Sequence, residues 1–410
     1  MTRDLRLFAA LGPGDIVGAG RNRLTGNAIN ETSIAFSEQL FAYCRHHQIP
    51  TLAISSNSRV ASLDDGPVLT ENRPKPLRGR AGLLFHVSQV LYGTYLAARA
   101  LQFGANFAII DSGTTHYFVL VLFRLVGISV AVNLHNVLWP CGHPPTGVGA
   151  LIRRMNKLYF RFAAVGAIGV SPECERQVLS EAGGAIPFFQ YRCQYNSKGF
   201  ISAKPYNAGT FRIVFAGRVE ENKGVLDIVE IAKILRGATA KKIVFEVCGE
   251  GPALSKLQAA IERDNLNELV IAHGRLERQA LLTIYANSHA AIVPTRSDFA
   301  EGMPQVCAEA VLSNLPVITS QVTNAFDVID GAVVRAETND VSSYARAVLL
   351  LIEKPELYGQ IQATCPLVSR QFFDRDQSYP SALDRLLAVT MPPQSGNCDY
   401  DKIFDELIKI

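Results

Sequence analysis

Several kinds of site and segment are scarce or missing in this sequence of 410 residues. Its eight cysteines form no Cys-x-x-Cys pair and stand singly, mostly in apolar runs, which disfavours a zinc site or a disulfide framework and predicts buried, reduced thiols. No long apolar stretch precedes a small-residue cleavage site after Met1, so we expect no signal peptide. The most apolar window, residues 117–134, contains Arg124 and glycines, which favours a helix followed by a strand over a membrane span. These absences predict a cytoplasmic protein.

Net charge is also small, +3, but it is unevenly distributed. Residues 1–205 carry 20 Lys and Arg against 11 Asp and Glu, whereas residues 206–410 carry 20 against 26. A basic first half can meet nucleic acid, an anionic membrane or a phosphorylated acceptor. The length and a hydrophobic content of 48% predict two or three domains with sizeable cores.

Apolar strands alternate with helical patterns along most of the chain, which predicts parallel sheets covered by helices on both faces. The polar segment 187–210 is expected to be irregular, and a second alternating unit begins at Phe211. We therefore predict an α/β protein in four parts. These parts are a first domain over residues 1–190, a linker over 191–210, a second domain over 211–370 and C-terminal helices over 371–410.

A glycine-rich stretch in the first half is one candidate ligand site. Residues 12–23 are predicted to form a loop before a helix over about 30–47, and Gly18 and Gly20 are spaced like part of a dinucleotide-binding turn. Because arginine occupies position 23, where the third glycine would stand, a plain flexible loop is the alternative.

Two polar residues in the first half end predicted strands. Asp111 follows one apolar strand and His135 follows the next, and parallel sheets bind ligands beyond the carboxyl ends of their strands. His135 is therefore a candidate general base or hydrogen-bond donor to substrate. A hydrogen-bonded structural histidine is the alternative.

Two basic segments are candidates for contact with an anionic membrane. Residues 57–80 are predicted to form a mobile loop with a basic tip at 73–80. Helix 147–163 carries Arg153, Lys157 and Arg161 on one face, beside apolar and aromatic residues, as in helices that lie on anionic membranes. An ordinary surface helix with a solvated charged face is the alternative.

Three glycine turns follow predicted strands of the second half and suit a phosphate or a flat ring. The first has two cations and precedes a helix, which favours a diphosphate, although solvated loop charges are the alternative. Their residues are Gly217, Arg218, Lys223 and Gly224 in the first turn, Gly249 and Gly251 in the second, and Gly274, Arg275 and Leu276 in the third.

Two carboxylates eight positions apart flank a predicted helix start. Pro304 fits the first turn of a helix, which places Glu301 in the preceding loop and Glu309 in the second helical turn. Free N–H groups at such a helix start attract phosphate. A loop acid, an anion site and a helix acid together suit a ligand with phosphates and hydroxyls. The alternative is that Glu309 belongs to a solvated stripe with Gln305 and Ser313.

The order of these motifs resembles the retaining glycosyltransferases of family 4, which belong to the glycosyl transferases group 1 and have the GT-B fold. The resemblance covers about residues 211–335 closely and residues 1–186 only loosely. It is carried by Gly217-Arg218-x4-Lys223-Gly224, Gly249-x-Gly251-Pro252, Gly274-Arg275, Glu301-Gly302-x6-Glu309-Ala310 and Pro316-Val-Ile318. Asn314 stands where the family usually has glycine, but asparagine also tolerates the left-handed conformation that ends a helix.

The resemblance implies two Rossmann-like domains that face each other across a cleft, with a C-terminal helix packed back on the first. It implies that Arg218 and Lys223 bind the donor diphosphate and that Glu309 binds the ribose. Glu301, with the backbone of Gly302 and Met303, would hold the sugar, and His135 would reach it from the first domain. Weaker expectations place the acceptor near Gly18, Gly20, Arg21, Arg23 and Asp111.

The implied reaction moves a sugar from a UDP- or GDP-sugar to a glycan or lipid-linked acceptor with retention at the anomeric carbon. The resemblance implies no cofactor, no catalytic metal ion and no nucleic-acid partner, and it suggests a role in polysaccharide or glycoconjugate biosynthesis. Two alternatives remain, namely another GT-B enzyme such as a sugar-nucleotide epimerase, and a non-catalytic sugar-nucleotide-binding protein.

Overall fold

The computed structural model describes residues 4–26, 32–184, 186–196, 199–203, 209–391 and 399–408. A first lobe is built on an eight-stranded sheet in the order β4-β5-β3-β1-β6-β7-β8-β9, in which only β4 is antiparallel to its neighbour. Its strands are β1 (Leu7–Leu11), β3 (Thr51–Ser55), β4 (Ala61–Asp65), β5 (Val68–Asn72), β6 (Phe107–Asp111), β7 (Ser129–Leu134), β8 (Ala164–Gly169) and β9 (Phe188–Gln190). Its helices are α1 (Ile16–Leu24), α2 (Phe36–His46), α3 (Leu83–Phe103), α4 (Val121–Leu125), α5 (Gly147–Phe162) and α6 (Pro172–Ala182).

The second lobe contains a six-stranded, all-parallel sheet in the order β13-β12-β11-β14-β15-β16. Its strands are β11 (Phe211–Ala216), β12 (Ile243–Cys248), β13 (Val270–Gly274), β14 (Ala290–Val293), β15 (Val317–Thr319) and β16 (Val333–Arg335). Its helices are α7 (Val225–Leu235), α8 (Leu254–Arg263), α9 (Arg278–Asn287), α10 (Gln305–Leu312), α11 (Val341–Glu353) and α12 (Pro355–Val368). The strand order reverses beside β1 and beside β11, and ligands bind at such switch points.

The chain crosses between the lobes twice, and the two crossings are bonded to each other. Before the second lobe, β10 (Gln194–Tyr195) pairs with β2 (Ser33–Ile34) of the first lobe. After it, α13 (Tyr379–Thr390) and α14 (Tyr400–Ile408) pack back on the first lobe, as predicted. The Arg192 guanidinium donates to the Gln371 side chain at 2.7 Å, and Arg375 donates to Gln194 at 2.8 Å.

Several local predictions for the first half were wrong. Residues 16–24, expected to be part of a loop, form α1, because Asp15 accepts the backbone N–H of Gly18 at 2.7 Å and caps the helix. Residues 57–80, expected to be one mobile loop, contain the β4–β5 hairpin, which turns at Gly66-Pro67 with Gly66 at φ +64°. The segment 187–210, expected to be irregular, contains β9 and β10.

Other local predictions were confirmed or shifted by a few residues. The helix expected over 30–47 begins at Phe36, and its expected start at 30–31 lies outside the described residues. Asn314 takes the left-handed conformation that was expected of it, with φ +63°. Six of the seven described cysteines are buried, and Cys398 lies outside the described residues. In the part of the chain that is described, no helix has the length and hydrophobicity that crossing a bilayer requires.

Candidate active site

A cavity of about 420 Å³ lies between the two lobes at the carboxyl ends of their strands. Such a volume suits a small-molecule ligand. The cavity brings together seven of the residues that the sequence singled out, namely His135, Gly217, Arg218, Lys223, Glu301, Met303 and Glu309.

The loop after β11 holds Lys223 against the end of β14. Gly224 has φ +72°, and a Cβ at this position would lie 2.0 Å from the carbonyl oxygen of Pro294. Only glycine therefore allows the loop to approach so closely. The approach brings the ammonium of Lys223 to Glu301, which follows β14.

Lys223 and Glu301 form a largely buried ion pair on the second-lobe wall of the cavity. Lys223 Nζ donates to Oε1 of Glu301, and the Thr295 hydroxyl donates to the same oxygen at 3.2 Å. The Lys223 ammonium also lies 4.1 Å from the centre of the Phe299 ring. Arg218 forms an ion pair with Glu220, at 2.7 Å, its guanidinium lies 5.8 Å from the centre of the Phe299 ring, and its side chain is 62% exposed. Its guanidinium can therefore turn toward an anionic ligand at little cost, whereas Lys223 is already positioned.

Gly302 joins the two lobes by direct backbone contact. It forms an antiparallel bridge with Asn136, and a Cβ at position 302 would lie 1.9 Å from the carbonyl oxygen of His135. On the other side, the Asn324 amide donates to the carbonyl oxygens of Glu301, at 2.6 Å, and of Gly302, at 3.1 Å. The backbone after Glu301 is thus held between the lobes, and only glycine fits at position 302.

His135 is held by a polar network at the end of β7. Its Nε2 lies 3.1 Å from Oδ2 of Asp111 and 2.9 Å from Nδ2 of Asn133, and its Nδ1 lies 3.1 Å from the hydroxyl of Tyr191. The ring stacks on Phe36 with centroids 4.8 Å apart. Both nitrogens therefore have partners within the first lobe. Asp111 is buried beneath His135 and contacts it directly, so it orients this ring.

Glu309 is a buried carboxylate that accepts hydrogen bonds from both lobes. It receives one from the hydroxyl of Thr32, in the first lobe, and one from the hydroxyl of Tyr285, at 2.7 Å, in the second. Burial raises the pKa of Glu309, and these two hydrogen bonds oppose the rise. Glu309 is only 6% exposed and Ser313 is fully buried, so the solvated-stripe alternative is wrong. A carboxylate between two hydroxyl donors is suited to accept from a diol.

Besides Gly302, four predicted donor residues are not among those that line the cavity. Gly251, Gly274, Arg275 and Leu276 lie at or just beyond the ends of β12 and β13. Arg275 is exposed, and its guanidinium lies 3.3 Å from Glu250. From the same side of the second lobe, Leu281 of α9 lines the cavity, and nothing in its sequence context distinguishes it from an ordinary core residue.

Gly20 and both arginines of α1 contact the β4–β5 hairpin. Arg23 bonds to Asp65 and lies 3.5 Å from Glu38, and Arg21 donates to the carbonyl oxygen of Ser62 at 3.3 Å. A Cβ at Gly20 would clash with Leu63 of the hairpin at 2.7 Å. Gly18, Gly20, Arg21 and Arg23 are not among the residues that line the cavity.

Residues that sequence reasoning missed complete the cavity on the side of the lobe crossings. Phe36 begins α2, and Arg192, Cys193 and Phe372 come from the two crossing segments. Long-range packing places these side chains, and no local motif marks them.

Carboxylates elsewhere form no metal-binding group in the described part of the chain. Two Asp-x-Asp triplets occur, Asp374-Arg-Asp376 and Asp399-Tyr-Asp401. Both line a second cavity that shares no lining residue with the interlobe cavity.

Comparisons with known proteins agree with this architecture. Residues 200–364 match the family model described as glycosyl transferases group 1, which is less than half of the chain. No curated protein sequence matches the chain.

Solved structures resemble this one over nearly its whole length. A sucrose-phosphate synthase from Thermosynechococcus elongatus superposes with a TM-score of 0.67 at 13% identity, covering 93% of this chain and 98% of that one. An α,α-trehalose 6-phosphate synthase from Burkholderia multivorans gives 0.65 at 12% identity, covering 96% and 100%. The Anabaena protein HepE in complex with UDP and glucose gives 0.60 at 13% identity, covering 99% and 100%. At such identities the likeness establishes the fold, and the prediction of a GT-B fold is confirmed.

Proposed function

Because the second lobe matches the group 1 glycosyl transferases within a GT-B fold, we propose that this protein is a glycosyltransferase. It takes a sugar from a nucleoside diphosphate sugar and transfers it, with retention, to a glycan or lipid-linked acceptor. The observation that carries the proposal is the cavity itself. It places two cations, a positioned acid and a buried carboxylate from the second lobe opposite a fixed histidine from the first.

The donor diphosphate lies against Lys223 and Arg218 in this proposal. The negatively charged phosphate oxygens accept hydrogen bonds from both side chains. Such charge-assisted hydrogen bonds are stronger than hydrogen bonds between neutral groups. Helix α10 begins after Pro304 without a side-chain cap, so its first N–H groups also favour an anion. Arg218 supplies the movable contact and Lys223 the fixed one.

The ribose hydroxyls bind Glu309. In the structure the hydroxyl of Thr32 donates to one oxygen of this carboxylate, as a ribose hydroxyl would, and Tyr285 donates to the other. A bound ribose either replaces Thr32 or shares the carboxylate with it. The base then lies toward Leu276 and Leu281.

The chemical step exchanges one bond at the anomeric carbon for another. The bond from that carbon to the donor phosphate oxygen breaks, a bond from the carbon to the acceptor oxygen forms, and the acceptor proton passes to the departing diphosphate. Lys223, Arg218 and the start of α10 stabilise the negative charge that develops on the diphosphate. Gly302 and His135 seal the lobes together beside the reacting carbon, which excludes water and aligns the acceptor.

We place the reaction in the cytoplasm, at the inner face of a membrane, in polysaccharide or glycoconjugate biosynthesis. The basic first half supports this setting. Arg153 is paired with Glu181 at 2.8 Å, so on α5 the exposed Arg154 and Arg161, with exposed apolar neighbours, are the residues available to an anionic surface. No cofactor or metal ion is part of the proposal.

The first test is binding and turnover with UDP-, GDP- and ADP-sugars. A nucleotide that raises the melting temperature identifies the donor, and UDP is the first choice because HepE was solved with UDP and glucose. Free nucleoside diphosphate should appear only when an acceptor is present, and the anomeric proton of the product should report retention by NMR. Release without acceptor would favour an epimerase-type GT-B enzyme, and binding without turnover would favour a binding protein.

Two substitutions test the site. Lys223→Ala and Glu309→Ala should each abolish transfer, with a loss of ~10²–10³ in rate or more for a charge that stabilises the leaving group. Lys242→Ala is the matched control, because it removes an exposed cation from the same lobe. Lys242 forms a solvated ion pair with Glu268, at 4.0 Å. Normal turnover by Lys223→Ala and Glu309→Ala would overturn the proposal.

A further inference from the structure

A cluster of basic side chains lies at the cleft-facing edge of the first sheet and is not used by the donor site. Lys75 follows β5, His116 follows β6, and His86 lies in the first turn of α3. Parallel strands end at one edge, so these residues share the edge with Asp111 and His135. None of the three lines the interlobe cavity described above.

Lys75 is a half-buried cation whose hydrogen-bond acceptors are neutral. Its ammonium donates to the carbonyl oxygen of Gly113 at 2.9 Å and to the side-chain oxygen of Gln89 at 3.1 Å. Among the described residues, no carboxylate forms an ion pair with it, and burial lowers the pKa of Lys75 to about 8. The nearby Glu71 is already paired with Arg73 and Arg99, at 2.9 Å and 2.6 Å.

The two histidines are stacked face to face. His86 Nδ1 lies 3.0 Å from His116 Nε2, and the ring centroids are 5.1 Å apart. Burial, together with the charges of His86 and Lys75, lowers the pKa of His116 to about 4. A lowered pKa keeps His116 neutral at pH 7, so the cluster offers one ammonium and imidazole N–H groups as donors, and among the described residues no carboxylate pairs with Lys75, His86 or His116.

The start of α3 adds unpaired backbone donors to this cluster. Gly82 precedes the helix, and no side chain caps it. Such helix starts attract phosphate, and the exposed Arg78 and Arg80 on the preceding loop raise the local positive potential.

Building on the proposed function, we propose that Lys75, His86 and His116 form a subsite for a phosphate group on the acceptor. The contact between Lys75 and Gly113 connects this cluster to the candidate active site. Gly113 comes two residues after Asp111, a span of at most about 7 Å, and Asp111 contacts His135. The phosphate of the acceptor would therefore bind at the same sheet edge as His135, on the side of the first lobe.

The phosphate can belong to a free sugar phosphate or to a lipid-linked acceptor, and binding experiments distinguish the two. Calorimetry on the full-length protein uses inorganic phosphate, glucose 6-phosphate and glucose as soluble probes. Vesicles of phosphatidic acid in phosphatidylcholine, and vesicles of phosphatidylcholine alone, serve as lipid probes. Binding of phosphate or glucose 6-phosphate but not glucose supports a soluble phosphorylated acceptor, whereas binding confined to phosphatidic acid vesicles supports a lipid-borne phosphate.

Substitutions then assign the binding to the cluster. Lys75→Met and His116→Gln should each weaken phosphate binding by about tenfold or more, the value of one charge-assisted hydrogen bond. Arg124→Gln should leave phosphate binding unchanged. This substitution also removes one positive charge, but from an exposed arginine on α4, elsewhere on the first lobe. The subsite is refuted if no phosphate-bearing probe binds, or if the Lys75→Met and Arg124→Gln variants bind it equally well.

A nucleotide titration separates this result from the fate of the donor site. UDP, GDP and ADP are titrated into the wild-type and Lys75→Met proteins. Retained nucleotide binding without a phosphate response refutes the subsite alone, whereas absence of all nucleotide binding in the wild type refutes the proposed function. Retained nucleotide binding by Lys75→Met also shows that this variant folds.

Discussion

Replacing Glu309 with glutamine should make the protein more stable at alkaline pH and weaken its binding of the donor nucleotide. The carboxylate is 6% exposed and is satisfied by two neutral hydroxyls, from Thr32 and Tyr285. Burial dominates, and it raises the pKa of Glu309 in the folded protein. Glutamine keeps the shape of the side chain and removes the charge that burial disfavours.

The dependence on pH follows from the direction of that shift. A raised folded-state pKa means that the protonated carboxyl contributes stability fully below the unfolded pKa and that this contribution is lost as pH rises through the folded pKa. Each unit of such a shift corresponds to about 1.4 kcal/mol, or on the order of 2–4 °C in melting temperature for a domain of this size. The Glu309→Gln protein should therefore gain on the wild type between pH 5 and pH 8.

The same substitution should weaken the binding of the nucleotide. A hydrogen bond between a charged group and a ribose hydroxyl is worth about 1.5–3 kcal/mol, so its loss should weaken the nucleotide about 10- to 150-fold. Thermal unfolding at pH 5 and pH 8, with nucleotide titrations by calorimetry, measures both effects. Glu262→Gln, an exposed acid on α8, should change neither by more than about 0.5 kcal/mol. A Glu309→Gln protein that binds nucleotide normally, or loses more stability at pH 8 than at pH 5, would refute the reasoning.

Three further substitutions test the junction of the lobes and the contacts that hold His135. Gly302→Ala places a Cβ 1.9 Å from the His135 carbonyl oxygen, so we expect transfer to fall by about 10²-fold while calorimetry shows nucleotide binding retained; unchanged transfer rates would contradict this. Thr32→Val removes one hydroxyl donor from Glu309, so we expect a lower melting temperature than that of the wild type when no nucleotide is present. Saturating nucleotide should abolish this difference, because a ribose hydroxyl then takes the place of Thr32, and a melting temperature that stays lower would count against that replacement. Tyr191→Phe removes a hydroxyl that donates to Asn133 at 2.6 Å and lies 3.1 Å from His135 Nδ1, which should cost about 1–3 kcal/mol in stability and slow transfer without weakening nucleotide binding, whereas wild-type kinetics would show that these two contacts do not matter.

The donor half of the candidate site could be predicted because its residues follow successive strands. Gly217, Arg218 and Lys223 come after β11, and Glu301 comes after β14, so a parallel sheet brings them to one edge whatever the details of packing. Local chemistry also marked them, since glycines and cations after a strand, and a proline at a helix start, are features of phosphate sites.

The contacts that complete the site depend on packing between distant parts of the chain. Thr32 reaches Glu309 across 277 positions, and Tyr191 reaches His135 across 56. Nothing in the sequence around Thr32 or Tyr191 indicates these partners. The same limit applied to Arg23, whose charge was expected to serve an acceptor and is instead bonded to Asp65 of a hairpin that was predicted to be a loop.

Some errors were avoidable. The glycine at 66 and the alternation of apolar and polar residues in Ala61-Ser-Leu-Asp64 are hairpin signals, but three prolines between 67 and 76 favoured a loop. Asp15 is likewise a favourable residue at the start of a helix, but the glycines at 18 and 20 favoured a loop over α1.

The paired crossings between the lobes limit how this molecule can move. A single tether would let one lobe swing and twist freely, whereas two tethers bonded through Arg192–Gln371 and Gln194–Arg375 leave one easy rotation, about the line that joins them. The lobes also meet at the bridge between Gly302 and Asn136, which such a rotation would have to break. We expect any opening of the lobes to follow mainly this rotation, so that reclosure re-forms the bridge and returns Glu301 to the same position across the cavity from His135.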